Sequence, residues 1–213
     1  MEKKRKGLFI TFEGIDGCGK TTQARLAARW LKRIGKSVLF IREPGGTTVS
    51  ERIRRVLLDR RLEIDPYTEL LLYEGARAQL TSERIIPALN RNEIVVADRF
   101  FDSTTAYQGY GRGLDRTLIS HLNRFAGRKI SPDITFVFDV DYQTSLLRRR
   151  ARPDRLEKEK RAFFQRVRKG FKSLAGRRRV VLLDGRLPVA KLHEEVKTRV
   201  KRRLNGRGGY GIG

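Results

Sequence analysis

The stretch Gly14-Ile15-Asp16-Gly17-Cys18-Gly19-Lys20-Thr21 decides the fold of this 213-residue chain, because it fits the pattern G-x-x-x-x-G-K-[ST] at every specified position. An apolar run over 8–12 leads into it, and a segment of helical periodicity follows. The glycines let backbone N–H groups surround phosphate oxygens at the positive end of the helix that begins near Lys20. Lys20 then meets the β- and γ-phosphates, and the Thr21 hydroxyl faces Mg²⁺. The sequence therefore predicts a nucleotide-binding loop.

Cys18, the single cysteine, lies inside this loop and has two interpretations. Loop amides and the neighbouring Lys20 lower the pKa of a thiol, which would make Cys18 a redox-sensitive thiolate. The simpler interpretation is a small residue that contributes only its backbone. One cysteine excludes an intramolecular disulfide and a zinc site built from several cysteines.

Short apolar runs recur along the chain and are typical of strands that are covered on both faces. They lie at 8–12, 38–41, 94–97, 134–138 and 180–183. Longer segments of helical periodicity separate them. One carries Leu118, Leu122 and Phe125 on one face, and Asp65-Pro66 marks the start of another. Strands that alternate with helices predict a parallel sheet in one α/β domain over 1–204, followed by a Gly-rich tail at 205–213 that we expect to be disordered.

The charge of the chain is strongly positive and unevenly distributed. Lys and Arg outnumber Asp and Glu by 48 to 24, with a surplus of +7 up to Leu147 and +17 from Arg148 onward. Such a surplus is typical of a nucleic-acid-binding protein or of the solvated surface of a heat-adapted protein. We find no signal peptide and no stretch near the roughly 18 apolar residues of a membrane helix. The sequence therefore predicts a soluble, cytoplasmic protein that is not a membrane protein.

Five segments in the same order make the chain resemble the thymidylate kinase family over residues from about 8 to 200. The segments are Phe12-Glu13-Gly14-Ile15-Asp16-Gly17, Arg42-Glu43-Pro44-Gly45-Gly46-Thr47, Leu72-Tyr73 with Arg77-Ala78-Gln79, Asp98-Arg99-Phe100 with Ser103 and Ala106-Tyr107-Gln108-Gly109, and Asp154-Arg155-Leu156-Glu157. The resemblance implies transfer of the ATP γ-phosphoryl group to dTMP with Mg²⁺, in a homodimer. It also implies a three-layer P-loop fold with five parallel strands in the order 2-3-1-4-5 and a basic lid at about 148–157.

The resemblance assigns the site residue by residue. The residues expected to bind ATP are Gly14, Ile15, Asp16, Gly17, Cys18, Gly19, Lys20, Thr21 and Thr22. Those expected to bind dTMP are Asp16, Arg42, Pro44, Tyr73, Arg77, Arg99, Ser103, Tyr107 and Gln108. Thr21 and Asp98 are expected to hold Mg²⁺, Asp98 directly or through water. Arg99 is expected to grip the dTMP phosphate, Asp16 to accept from the deoxyribose 3′-hydroxyl, and Tyr107 to crowd the sugar 2′ position.

A catalytic arginine is expected in the lid. Phosphoryl transfer depends on cations that meet the equatorial oxygens, and none of the variable loop positions 15–18 is basic. The chain therefore resembles those family members whose lid supplies this cation, and Arg149 and Arg152 are the candidates beside Lys20 and Arg99. By the same resemblance, adenine lies between a lid arginine and the loop at 184–188.

Base choice is expected to depend on Tyr73 and Arg77, which are one helical turn apart. The ring can stack on a pyrimidine, and a guanidinium, which only donates, can meet O4 of thymine or uracil but not the amino group of cytosine. Two alternatives stay open. One is a kinase for another monophosphate, such as dUMP or dCMP, and the other is a basic NTPase that binds nucleic acid, although no specific nucleic acid is expected.

Overall fold

A computed structural model describes residues 7–149 and 155–206 of the chain. Its strands β1 to β5 are Phe9–Glu13, Val38–Arg42, Ile94–Asp98, Ile134–Asp139 and Val180–Asp184. They form one sheet in the order β2-β3-β1-β4-β5, and every pairing is parallel. The α/β class, the strand order and the P-loop topology predicted above are therefore confirmed.

The helices connect the strands and cover the sheet. The helices α1 to α9 are Lys20–Arg33, Thr48–Leu58, Pro66–Leu80, Ile86–Asn90, Phe101–Thr104, Arg116–Ala126, Tyr142–Arg148, Arg161–Lys172 and Val189–Asn205. Two π-helical segments, Thr81–Ile85 and Thr105–Gly111, continue α3 into α4 and extend α5. Among the described residues, no helix combines the length and apolar character that a membrane crossing needs.

The central strands explain why the apolar runs lack alternation. All five residues of β1 and all five of β3 are buried, because helices pack on both faces of the sheet. One core cluster includes Phe12, Phe136 and Phe138, and a second includes Phe9 and Phe100. The rigid centre of the sheet therefore lies directly beneath the phosphate loop, which leaves β1 at Glu13.

The predicted start of α3 is confirmed, whereas the apolar face of α6 is turned outward. Asp65 accepts from the backbone N–H groups of Tyr67 and Thr68, and Pro66 is the first helical residue. On α6 the buried side chains are Ile119, Asn123 and Ala126. Of the predicted face, Leu118 is 39% exposed and Phe125 is 82% exposed. Periodicity located an apolar stripe there, but the protein's own core does not cover it.

The predicted boundaries fall partly outside the described residues. Helix α9 ends at Asn205, and 207–213 of the predicted tail are outside. Residues 150–154 of the predicted lid, including Arg152, are outside as well. The domain limit at 204 stays a prediction.

Candidate active site

One cleft, with a cavity of about 250 Å³, opens above the carboxyl ends of β1, β2 and β3. In open α/β sheets this edge is where ligands bind. Many of the residues predicted for the loop, the acceptor nucleotide and the metal line this one cavity. They are Asp16, Lys20, Thr21, Arg42, Pro44, Tyr73, Arg77, Asp98, Arg99, Ser103, Tyr107 and Gln108.

The phosphate loop is shaped by glycines that no other residue can replace without strain. Gly14, Gly17 and Gly19 have φ angles of 137°, 78° and 95°. At Gly17 a Cβ atom would lie 2.4 Å from the backbone oxygen of Ser145, so α7 packs directly against the loop. Ser145 Oγ also donates to the Asp16 carbonyl at 2.7 Å. Helix α7 therefore fixes the curvature of the loop.

Asp16 connects the phosphate loop to the opposite wall of the cleft. Its Oδ1 accepts from Lys20 Nζ at 2.8 Å and from Arg99 Nη2 at 2.6 Å, and its Oδ2 accepts from the Tyr107 hydroxyl at 3.2 Å. Burial raises the pKa of Asp16, but the Arg99 guanidinium and the Lys20 ammonium outweigh it and hold the pKa well below its ordinary value. The carboxylate is therefore ionised.

Arg99 is held in an unusual backbone conformation that aims its side chain at the loop. Its φ is 74°, in the left-handed region that non-glycine residues seldom adopt. Arg99 Nη1 donates to the Gly14 carbonyl at 3.1 Å and to Ser103 Oγ at 3.0 Å. Behind it, Glu13 accepts from Phe100 N at 2.7 Å and from Ser103 Oγ at 2.6 Å. Burial raises the pKa of Glu13 to about 8, so the carboxyl group of Glu13 is largely protonated at neutral pH.

Thr21 and Asp98, the two residues predicted for the metal, lie in contact. The Thr21 hydroxyl donates to Asp98 Oδ2 at 2.6 Å. The other carboxylate oxygen, Asp98 Oδ1, is buried and has no hydrogen-bond partner among the described residues. An orphaned carboxylate oxygen beside a hydroxyl suits a magnesium ion with its retained waters.

Arg77 is buried more deeply than a base-reading residue needs to be. Its side chain is 2% exposed, and its donors are directed at acceptors from several elements. Its Nε donates to Glu43 Oε2 at 3.0 Å, and its Nη1 donates to Glu74 Oε1 at 2.8 Å and to Asn123 Oδ1 at 3.0 Å. Its Nη2 donates to Thr104 Oγ1 at 2.8 Å. The predicted contact with the base O4 stays a prediction, and it requires one of these donors to change partner.

The remaining predicted residues occupy the rim and floor of the cleft. Arg42 is the exposed last residue of β2, and the Glu43-Pro44 peptide bond that follows is cis. Tyr73 is partly buried against the core cluster of Phe12. Cys18 is fully buried, and burial raises the pKa of its thiol above the ordinary value. The structure thus favours the small-residue interpretation of Cys18 over a reactive thiolate.

The described part of the lid approaches the loop from α7. Arg149 Nη2 donates to Ser145 Oγ at 3.0 Å, and its guanidinium lies 4.5 Å from the centre of the Phe164 ring. Arg149 is therefore linked to the Asp16 carbonyl through the Ser145 hydroxyl. Arg148 Nη1 donates to the Gly185 carbonyl at 2.7 Å, which joins the lid to the loop predicted for adenine.

Several residues at the site were not found by sequence reasoning. Arg25 and Arg54 line the cleft, and Glu69 lies buried behind it in contact with Gln108 and Arg112. A signal for Glu69 existed, since it precedes Tyr73 by four positions and so shares a helix face with it. Surface arginines in an arginine-rich chain offer no such signal.

The fold and the loop define a P-loop nucleotide-binding protein whose cleft carries cations facing the loop from a second wall. The family model of thymidylate kinase matches residues 12–196. The chain belongs to the thymidylate kinase family and is therefore a phosphotransferase.

Similar proteins from several organisms agree with this assignment. A thymidylate kinase from Kosmotoga olearia is 46% identical over 193 residues, which cover 89% of this chain and 93% of the relative. One from Caldanaerobacter subterraneus subsp. tengcongensis is 45% identical, with 94% and 98% covered. The crystal structure of thymidylate kinase from Ehrlichia chaffeensis superposes with a TM-score of 0.75 at 38% identity, covering 91% of this chain and 98% of that one.

Proposed function

We propose that the chain catalyses the reaction of ATP with dTMP to give ADP and dTDP by direct in-line transfer, as a step towards dTTP. The observation that carries this proposal is the contact of Asp16 with both Lys20 and Arg99, because it joins the phosphate loop to a second cationic wall. A kinase for monophosphates needs such a pair of walls, since two anionic nucleotides must meet end to end.

The residues divide the work between donor and acceptor. An oxygen of the dTMP phosphate attacks the γ-phosphorus, the bond to the β–γ bridging oxygen breaks, and ADP leaves without a covalent enzyme intermediate. Lys20 neutralises charge on the transferring group, and Arg99 orients the attacking phosphate with two guanidinium nitrogens. When substrates arrive, Lys20 and Arg99 exchange Asp16 for phosphate oxygens, which frees Asp16 to accept from the sugar 3′-hydroxyl.

The metal and the lid complete the charge balance. Thr21 and Asp98 would hold Mg²⁺, and the orphaned Asp98 Oδ1 supports this assignment. A bound Mg²⁺ neutralises charge on the β- and γ-phosphates. Arg149 or Arg152 would add a further cation from the lid, and the bond of Arg149 to Ser145 keeps it next to the loop.

The acceptor pocket favours a deoxypyrimidine. Tyr73 offers a ring for stacking, and Tyr107, which is 5% exposed and lines the cleft, would crowd a ribose 2′-hydroxyl. Burial raises the pKa of Tyr107 well above its ordinary value, so its hydroxyl stays protonated and donates to Asp16. We expect dTMP to be the best acceptor, dUMP a weaker one and dCMP a poor one.

A coupled assay of ADP release over a panel of nucleoside monophosphates tests the function. We expect release with dTMP and Mg²⁺, and loss of it without the metal. Lys191→Ala, which removes an exposed lysine of α9, is the control for variants of the loop. A preference for dCMP would establish the alternative kinase. Duplex DNA binding at physiological salt without transfer to dTMP would establish the nucleic-acid-binding NTPase.

We infer a homodimer from the exposed apolar side chains of three adjacent helices. Helix α2 packs on α3, and α3 packs on α6. Val49, Leu71 and Phe125, one on each of these helices, are 47%, 60% and 82% exposed. Large apolar side chains left exposed on neighbouring helices are typical of protein interfaces. We expect a dimer by light scattering and a shift to monomer in Phe125→Glu. The cytoplasmic location stays a prediction.

A further inference from the structure

A buried carboxylate lies behind the wall of the cleft on which the base is proposed to rest. Glu69 is in the first turn of α3, four and eight positions before Tyr73 and Arg77, so the three side chains share one helix face. Its side chain is fully buried. Its contacts run to Gln108, whose side chain lines the cleft, and to two arginines.

Both oxygens of Glu69 are occupied by donors. Gln108 Nε2 donates to Oε1 at 2.8 Å, and Arg112 donates to Oε1 from Nε at 3.2 Å and to Oε2 from Nη2 at 3.1 Å. Arg155, the first described residue after the gap in the lid, donates to Oε2 from Nη2 at 2.5 Å. Burial raises the pKa of Glu69, but these donors outweigh it and hold the pKa below its ordinary value. Glu69 is therefore ionised and only accepts.

This arrangement determines which end of the Gln108 amide faces the nucleotide. An ionised carboxylate has no hydrogen to donate, so the amide nitrogen of Gln108 must point at Glu69. The carbonyl oxygen is then the group that remains for the cleft. In thymine and uracil the ring nitrogen N3 carries a hydrogen, which this oxygen can accept. In cytosine the same nitrogen is an acceptor, and two acceptors would face each other without a proton between them.

We propose that Glu69 is a positioning residue for base selection, which holds Gln108 with its carbonyl oxygen towards N3 of the acceptor base. The inference rests on the proposed function, because it takes the base of dTMP to lie against Gln108. The role of Glu69 does not depend on whether Arg77 changes partner to meet O4.

The test compares two variants that both lose the contact between Arg155 and position 69. Arg155→Gln removes one arginine from Glu69 and leaves Gln108 held. Glu69→Gln in the Arg155→Gln background removes the carboxylate and keeps the local charge balanced. An amide at position 69 can both donate and accept, so Gln108 can turn over. We expect the dTMP/dCMP ratio of kcat/KM to stay within about twofold of wild type in the single variant. In the double variant it should fall about tenfold or more, the scale of one unpaired buried polar group.

The dTMP/dUMP ratio is the internal control, because both bases carry N3–H. We expect it to be equal in the two variants, which general damage to the site would not guarantee. Equal dTMP/dCMP ratios in the two variants would overturn the role of Glu69. A wild type that makes no dTDP would instead refute the proposed function.

A second measurement needs no change at Glu69 and applies if the double variant does not fold. In wild-type protein labelled with ¹⁵N-glutamine, the side-chain amide of Gln108 is identified by its absence from the spectrum of Gln108→Met. We expect its hydrogens to exchange at least tenfold more slowly than those of exposed glutamines. Exchange at the rate of exposed glutamines would show that Glu69 does not hold the amide, and would overturn the inference.

Discussion

Replacing Arg77 with methionine should destabilise the fold before it affects the choice of base. The guanidinium is 2% exposed and lies 3.0 Å from Glu43 Oε2 and 2.8 Å from Glu74 Oε1. Breaking a buried ion pair by removing one partner costs about 3–5 kcal/mol, because the other charge is left unpaired. We therefore expect Arg77→Met to lower the free energy of unfolding by about 3 kcal/mol or more at pH 8.

The loss should shrink as the pH falls. Burial raises the pKa of Glu43 to about 7 even with Arg77 present, and removing the cation raises it further. A buried carboxyl group with a raised pKa stabilises the fold when protonated, and this contribution is lost as the pH rises through the folded-state pKa. In Arg77→Met, Glu43 is therefore still protonated at pH 6, and the loss in the free energy of unfolding relative to wild type is smaller than at pH 8.

Urea denaturation at pH 8 and pH 6 measures both effects. The control is Arg61→Met, since Arg61 is 87% exposed in its ion pair with Asp59 and exposed ion pairs contribute little to stability. A loss in Arg77→Met no larger than in Arg61→Met would refute the structural role of Arg77. Its donors would then be available for the base.

Three further predictions test other parts of the site. Lys20→Ala should lower kcat by about 10²- to 10⁴-fold, because its ammonium is a preorganised charge for the transferring group; near-normal turnover would remove Lys20 from the mechanism. Arg149→Ala or Arg152→Ala should lower kcat and kcat/KM together, by a factor on the order of 10³ to 10⁵, with the affinity for dTMP little changed. Full turnover in both single variants and in the double variant would place catalysis outside the lid. Glu13→Gln should gain stability relative to wild type as pH rises from 5 to 8, with a slope of up to about 1.4 kcal/mol per pH unit by urea denaturation, because the wild-type carboxyl has a pKa of about 8 in the fold and must take up a proton to be buried; a constant difference would contradict that pKa.

The fold was predictable because buried parallel strands have a simple sequence signature. Every predicted apolar run became a strand with the same first residue or one position later, since helices cover both sheet faces. For the apolar face of α6, the sequence did not predict whether the face is buried. Periodicity identified Leu118 and Phe125 as an apolar stripe, but it carries no information on whether the core or another chain covers that stripe.

The site was predictable where one segment supplies the chemistry and less so where distant segments meet. The loop sequence indicates both Lys20 and Thr21. Of the acceptors around Arg77, Glu74 is three positions away on the same helix, but Glu43 is 34 positions away and Asn123 is 46, so the local sequence shows only one of these partners. For Glu69 the local sequence indicates only the helix face that it shares with Tyr73, because its partner Gln108 is 39 positions away. Pairings of this kind depend on the tertiary structure.

The most direct test of the account is to follow the γ-phosphoryl group itself. Purified protein is incubated with γ-³²P-ATP, Mg²⁺ and either dTMP or dCMP, and the products are separated by chromatography. The account predicts that the label appears in dTDP, with far less in dCDP and little as free phosphate. Label released as phosphate at the same rate with and without dTMP would contradict it.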